Sequence, residues 1–232
     1  MNEPTSGTRT RVLGLILVPS LITLAVTILR LVGELQRWTP ILFGREAGGG
    51  GALVGITWLP LIFGPYFALK LAKEETTPFR VSRSFGLPVL GAVVFYLGAR
   101  LAFSPPLSLS ARLAGGYLIM AVAAMLPVWG WPALGRVLLA YGYAARIPVA
   151  VVIYLALSGN WGTHYDALPR GYAGSTTLGA EYLYAGILPQ LIFWIGYTVI
   201  VGSLLGAIAV ALPRRKKPPL WEPPPPSADQ PD

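Results

Sequence analysis

Long apolar runs alternate with short polar stretches along this chain, and that alternation is its strongest signal. A helix needs about 20 mostly apolar residues to cross about 30 Å of hydrocarbon. Six segments meet the requirement, at 12–33, 52–72, 86–104, 112–131, 134–158 and 183–212. None shows the period-two alternation of a transmembrane β-strand. The pattern predicts an all-α fold, a polytopic membrane bundle of about six helices. It divides the chain into an N-terminal segment at 1–11, a six-helix transmembrane domain at 12–213, and a tail at 214–232 that is basic and then proline-rich. The prolines predict a disordered or polyproline-like tail. The first apolar run follows Arg9 and Arg11 but is too long for a signal-peptide core, and no A-x-A site follows it, so it reads as a retained helix.

Composition supports the same reading. The chain is 54% hydrophobic and only 12% charged, about half the charge of a soluble domain, with a mean hydropathy of +0.59. The net charge of +8 does not point to nucleic acid, because the basic residues sit at the ends of apolar runs. With the N-terminus inside, one side collects Arg9, Arg11, Lys70, Lys73, Arg80, Arg83, Arg136 and the cluster at 214–217, which includes every lysine. The other side holds Arg30, Arg37, Arg45, Arg100, Arg112 and Arg170. The positive-inside bias therefore predicts cytoplasmic termini in a cell membrane, of the bacterial inner-membrane kind. The absence of cysteine excludes disulfides, thiolate metal sites and cysteine nucleophiles.

Arg146 interrupts the fifth segment near mid-membrane. A guanidinium there costs about 2.5–3.5 kcal/mol on insertion scales, so something must compensate it. Helical spacing sets Gly142, Tyr143, Val149 and Ala150 beside it, and no carboxylate falls inside a span. Carbonyls freed by Pro148, tyrosine hydroxyls and water are one solution. An anion, a lipid phosphate or a ligand carboxylate is the other. Arg146 and Tyr143 are accordingly the candidate ligand-binding residues.

Other features carry less. Segment two contains Pro60, Gly64 and Pro65, which marks a broken helix and a candidate cavity wall. Arg30, Glu34 and Arg37 share one helix face, and with Arg100, Arg112 and Glu181 they form either a polar vestibule or, as is more usual, solvent-screened pairs. Gly202 and Gly206 form a G-x-x-x-G that suits an internal helix contact better than a dimer interface. Segments two and six share a crude likeness, WLPLIF at 58–63 and ILPQLIF at 187–193, but an inverted repeat would pair segment two with segment five, which speaks against a simple repeat.

The stretch GNWGTHYDALP at 159–169 holds the only histidine, His164, two residues from Asp166. Such a pair is a weak catalytic candidate at the extracytoplasmic face. The simpler reading is a helix stop at Gly159 and Asn160, then a turn with Trp161 and Tyr165 as interfacial anchors, in which His164 and Asp166 pair with each other, with Arg170 or with headgroups. One histidine and three methionines exclude bis-histidine haem, H-E-x-x-H zinc and Met-rich copper sites, so no metal or cofactor is expected. The leading expectation is a protein that binds or moves a small anionic or lipid-like ligand around Arg146. A non-catalytic subunit or scaffold of a membrane complex and a membrane enzyme using His164 and Asp166 are the alternatives. Membrane lipids, and a protein partner or a second copy, are the expected partners, and nucleic acid is not.

Overall fold

The computed structural model describes residues 6–49, 52–74, 80–103, 109–168 and 177–214. The proline-rich tail, Arg170 and Pro105-Pro106 lie outside the described residues. Within them the chain is helical, with no strand. The long helices are α1 (Ser6–Leu35), α3 (Leu59–Glu74), α4 (Val81–Phe103), α5 (Leu109–Gly130), α6 (Pro132–Gly159) and α8 (Trp194–Arg214). The short helices are α2 (Pro40–Phe43) and α7 (Leu178–Glu181). Four stretches are long and apolar enough to cross a membrane: Val12–Leu35, Val81–Phe103, Pro132–Gly159 and Leu178–Leu212. α3 and the apolar part of α5, Ala114–Gly130, are shorter.

The helices are distributed around α8, which touches α3, α4, α5 and α6, while α4 lies along α5 and α1 along α6. The α3–α8 contact is backbone to backbone. A Cβ on Gly64 would fall 2.5 Å from Gly202 Cα, and one on Gly206 would fall 2.8 Å from Ala68 Cβ. The G-x-x-x-G is thus an internal contact, with small residues on both helices allowing dispersion contacts over a close crossing. Pro60 does not break α3. It lies in the first turn, where its missing N–H leaves no intrahelical bond unmade. The predicted span at 52–72 is shortened from its N-terminal side because residues 52–58 form bends and turns before Leu59.

α1 shows most clearly which solvent this fold is built for. Its outward positions Leu13, Leu17, Val18, Leu21 and Ile28 are exposed, whereas Thr23, Thr27, Arg30 and Glu34 are buried, Glu34 to 1% exposure. In water that arrangement inverts the hydrophobic driving force. In lipid it satisfies it, because apolar side chains face hydrocarbon and polar ones find partners inside. The protein is membrane-embedded.

Candidate functional site

Two polar centres are buried in the bundle, and a thread of hydroxyls lies between them. The first is Arg146 on α6. It is 4% exposed and sits on the same buried helix face as Tyr141, Gly142, Ala145, Val149 and Ala150. Gly142 lets Ile195 of α8 approach, since a Cβ there would stand 3.3 Å from Ile195 Cγ2. The guanidinium donates to Gln190 Oε1 at 3.3 Å and lies over the Trp194 ring, 4.7 Å from its centroid. A cation stacked on indole gains about 0.5–2 kcal/mol, more as water is removed. The hydroxyls of Tyr141, Tyr197 and Tyr165 are within electrostatic reach. Among the described residues no carboxylate pairs with Arg146.

Gln190 reaches Arg146 from a helix wound wider than α. Two π-helical turns, Tyr182–Ile187 and Pro189–Phe193, join α7 to α8. Pro189 has no N–H to offer four residues back, and its ring crowds that carbonyl. The ladder answers with longer steps: the Leu188 N–H donates to Leu183 O and the Trp194 N–H to Pro189 O. Such π insertions recur where a side chain must be aimed, and here both residues holding Arg146 lie on or just after them.

The second centre closes the end of α1. Glu34 Oε1 accepts from Arg30 Nε at 2.7 Å and from His164 Nδ1 at 2.5 Å, and Glu34 Oε2 accepts the His164 backbone N–H at 2.8 Å. Arg30 also donates to the Gly44 carbonyl at 3.2 Å. A carboxylate only accepts, so the neutral imidazole carries its hydrogen on Nδ1 and leaves the Nε2 lone pair free. Burial, with Arg30 adding to it, holds the His164 imidazole below its ordinary range, and the bond to Glu34 opposes this only in part.

Asp166 is occupied elsewhere. Its Oδ2 accepts the Gly162 N–H at 2.8 Å, and its Oδ1 accepts the Thr163 N–H at 2.7 Å and the Thr163 hydroxyl at 2.6 Å. It fastens the turn that follows Asn160, the left-handed residue capping α6.

Between the centres, Thr23 Oγ1 and Tyr141 OH share a hydrogen bond of 2.8 Å, Thr27 Oγ1 donates to Thr23 O at 2.9 Å, and Tyr165 OH stands 3.5 Å from Thr27 O. Tyr141 also packs edge-on against Phe63 and Phe67 of α3. It thereby ties α1, α3 and α6 together.

Several expectations change. Arg146 is interior, as its cost requires, but Tyr143 does not share its environment. Tyr143 is 46% exposed, because its position on α6 points to the outer face occupied by Ile147 and Val151. Glu34 is not a solvent-screened acid, since the His164 loop folds over it. His164 and Asp166 do not pair, because each is held by a different group. Tyr165 is 5% exposed and serves as core rather than as an interfacial anchor, while Trp161 remains at the surface. Residues missed from the sequence are Gln190, Trp194 and Tyr141, whereas sequence spacing singles out Glu34 but only as an acid screened by solvent. The spacing Ser20, Thr23, Thr27, Arg30, Glu34, alternating three and four, was the available signal for an inward polar stripe on α1. Comparison of the chain with protein-family models, with curated proteins and with solved structures finds no match.

Proposed function

We propose that this is a six-span membrane protein with cytoplasmic termini, and that it binds a small anion or the anionic head of a lipid-like molecule at Arg146. One observation carries the reading. A guanidinium with five N–H donors is buried between Gln190 and Trp194 and has no counter-charge among the described residues. A neutral amide and an indole face orient such a cation without neutralising it. A phosphate or carboxylate would do both, through the two-pronged contact that guanidinium favours. The π turns that aim Gln190 and Trp194 at one point support a built site over an incidental one.

The test uses the full chain in nanodiscs of phosphatidylcholine, with phosphatidylglycerol added in one arm and inorganic phosphate in the other. Retained lipid is counted by native mass spectrometry and phosphate binding by calorimetry. Binding in the first arm alone identifies a lipid headgroup, and binding in the second identifies a free anion. Arg146→Gln should lose at least tenfold in affinity, and Arg146→Lys should keep part of it. If wild type and Arg146→Gln bind equally, or neither anion binds, the reading is wrong.

A further inference from the structure

We infer that the Arg30–Glu34–His164 cluster is a proton-binding site whose occupancy is linked to anion binding at Arg146. The inference rests on the reading of Arg146 given above, and adds to it a second ligand, the proton, and the residue that takes it.

The geometry supplies three elements. First, an acceptor is available: His164 Nδ1 is committed to Glu34, while Nε2 has no protein partner among the described residues and 13% of the side chain is exposed. A proton therefore arrives on Nε2, and the Nδ1 hydrogen stays between ring and carboxylate. Second, the charges that face the ring are defined: Arg30 and Glu34 from α1, and Asp166 from its own loop. Arg30 and Glu34 already neutralise each other, so the added proton leaves the α1–His164 cluster with a net positive charge, against which Asp166 stands in the same turn. Third, one residue borders both centres. The Tyr165 ring lies 3.8 Å from the His164 ring, centroid to centroid, and Tyr165 is also within electrostatic reach of Arg146. Tyr165 stays a neutral phenol, because burial and the charge of Glu34 push its ionisation far up. It therefore separates the two centres with low-dielectric matter instead of screening them.

The sign follows from charge. An anion at Arg146 favours the cationic imidazole, so it raises the midpoint of His164, and by reciprocity a proton on His164 tightens the anion. Affinity should rise as pH falls through the His164 midpoint. A midpoint shift of one unit corresponds to about a tenfold change in affinity.

His164 is the only histidine in the chain, so a histidine-labelled sample gives one imidazole resonance that needs no assignment. Its midpoint is measured by NMR in phosphatidylcholine nanodiscs, then with whichever anion binds in the experiment above, in wild type and in Arg146→Gln. The variant controls for the surface potential of an anionic bilayer, which shifts every interfacial group alike. The expected result is a midpoint below the ordinary histidine range without anion, raised by about one unit with it, and unmoved in Arg146→Gln beyond the surface effect. Anion affinity measured at pH 5 and pH 7.5 should change about tenfold more in wild type than in His164→Asn, whose amide keeps a donor for Glu34 and whose remaining slope reports the ionisation of inorganic phosphate itself where that is the anion. An anion that binds while the midpoint stays fixed, or a pH dependence as large in His164→Asn as in wild type, overturns the linkage and leaves the Arg146 site standing. An absence of anion binding at any pH overturns both.

Discussion

Replacing Glu34 by alanine separates a buried cluster from an ornamental surface pair. In the folded protein Glu34 is 1% exposed and accepts three hydrogen bonds, one from Arg30, itself 6% exposed, and two from His164. Hydrogen bonds to charged groups each contribute about 1.5–3 kcal/mol, but their sum overstates the effect, since the freed donors partly find water. The larger loss is at Arg30, left buried without the Glu34 carboxylate that accepts from its Nε. Breaking a buried pair from one side costs about 3–5 kcal/mol. The cluster sits at the last turn of α1, and 13% of the His164 side chain is exposed, so the expected loss is at the low end, about 3 kcal/mol. Reversible unfolding in mixed micelles, followed by tryptophan fluorescence, measures it. A double-mutant cycle with Arg30→Met isolates the pair, and Arg30→Met/Glu34→Leu should be more stable than Glu34→Ala alone. A cost below about 1 kcal/mol, or strictly additive single effects, would mean an exposed pair of the ordinary kind and would refute the burial argument.

Further outcomes follow from the same contacts. Asp166→Ala removes three bonds that close the turn after α6, and should cost about 1–2 kcal/mol while raising amide exchange at Gly162 and Thr163 by at least tenfold. Gly64→Leu drives a side chain into the Gly202 backbone and should destabilise by more than the about 1–3 kcal/mol typical of overpacking, as read by the same unfolding assay. Stability should also depend on pH through His164. Its folded midpoint lies below the unfolded one, so the stability is whole above about pH 6.5. It falls as pH drops from there through the folded midpoint, because the unfolded chain takes up the proton first. In His164→Asn that slope below about pH 6.5 should flatten.

The helical class and the four helices long enough to span were legible because lipid makes a long uncharged stretch unambiguous. Arg146 was legible for the complementary reason, as a charge where none is free of cost. Its partners were not, because Gln190 and Trp194 sit forty-four and forty-eight positions away on a helix whose winding departs from 3.6 residues per turn. Glu34 was misjudged because helical spacing reveals which residues share a face but not what covers that face. The cover is a loop 130 positions downstream, fixed by Asp166 and by the left-handed Asn160. His164 and Asp166 looked like a pair because they are neighbours in sequence. In the fold, Asp166 turns back to amides of its own loop while His164 reaches across to α1.

The wide turns before α8 also bear on how such a site arises and disappears. A π turn holds one residue more than the α turn it replaces, and each extra residue rotates everything beyond it by about 100° around the helix axis. Deleting one residue between Gln190 and Trp194 would let the ladder rewind, with Val199, Ser203 and Ala207 of α8 still pinned in the core. The rotation would then fall on the residues before the deletion, swinging Gln190 off Arg146 and Tyr182 to Ile187 away from α6. A single-codon insertion or deletion is therefore enough to assemble or dismantle the surroundings of Arg146, with little change to composition or hydropathy. In a lineage carrying this fold, the length of the segment between Thr177 and Trp194 would be a more sensitive marker of the site than the identity of any one residue in it.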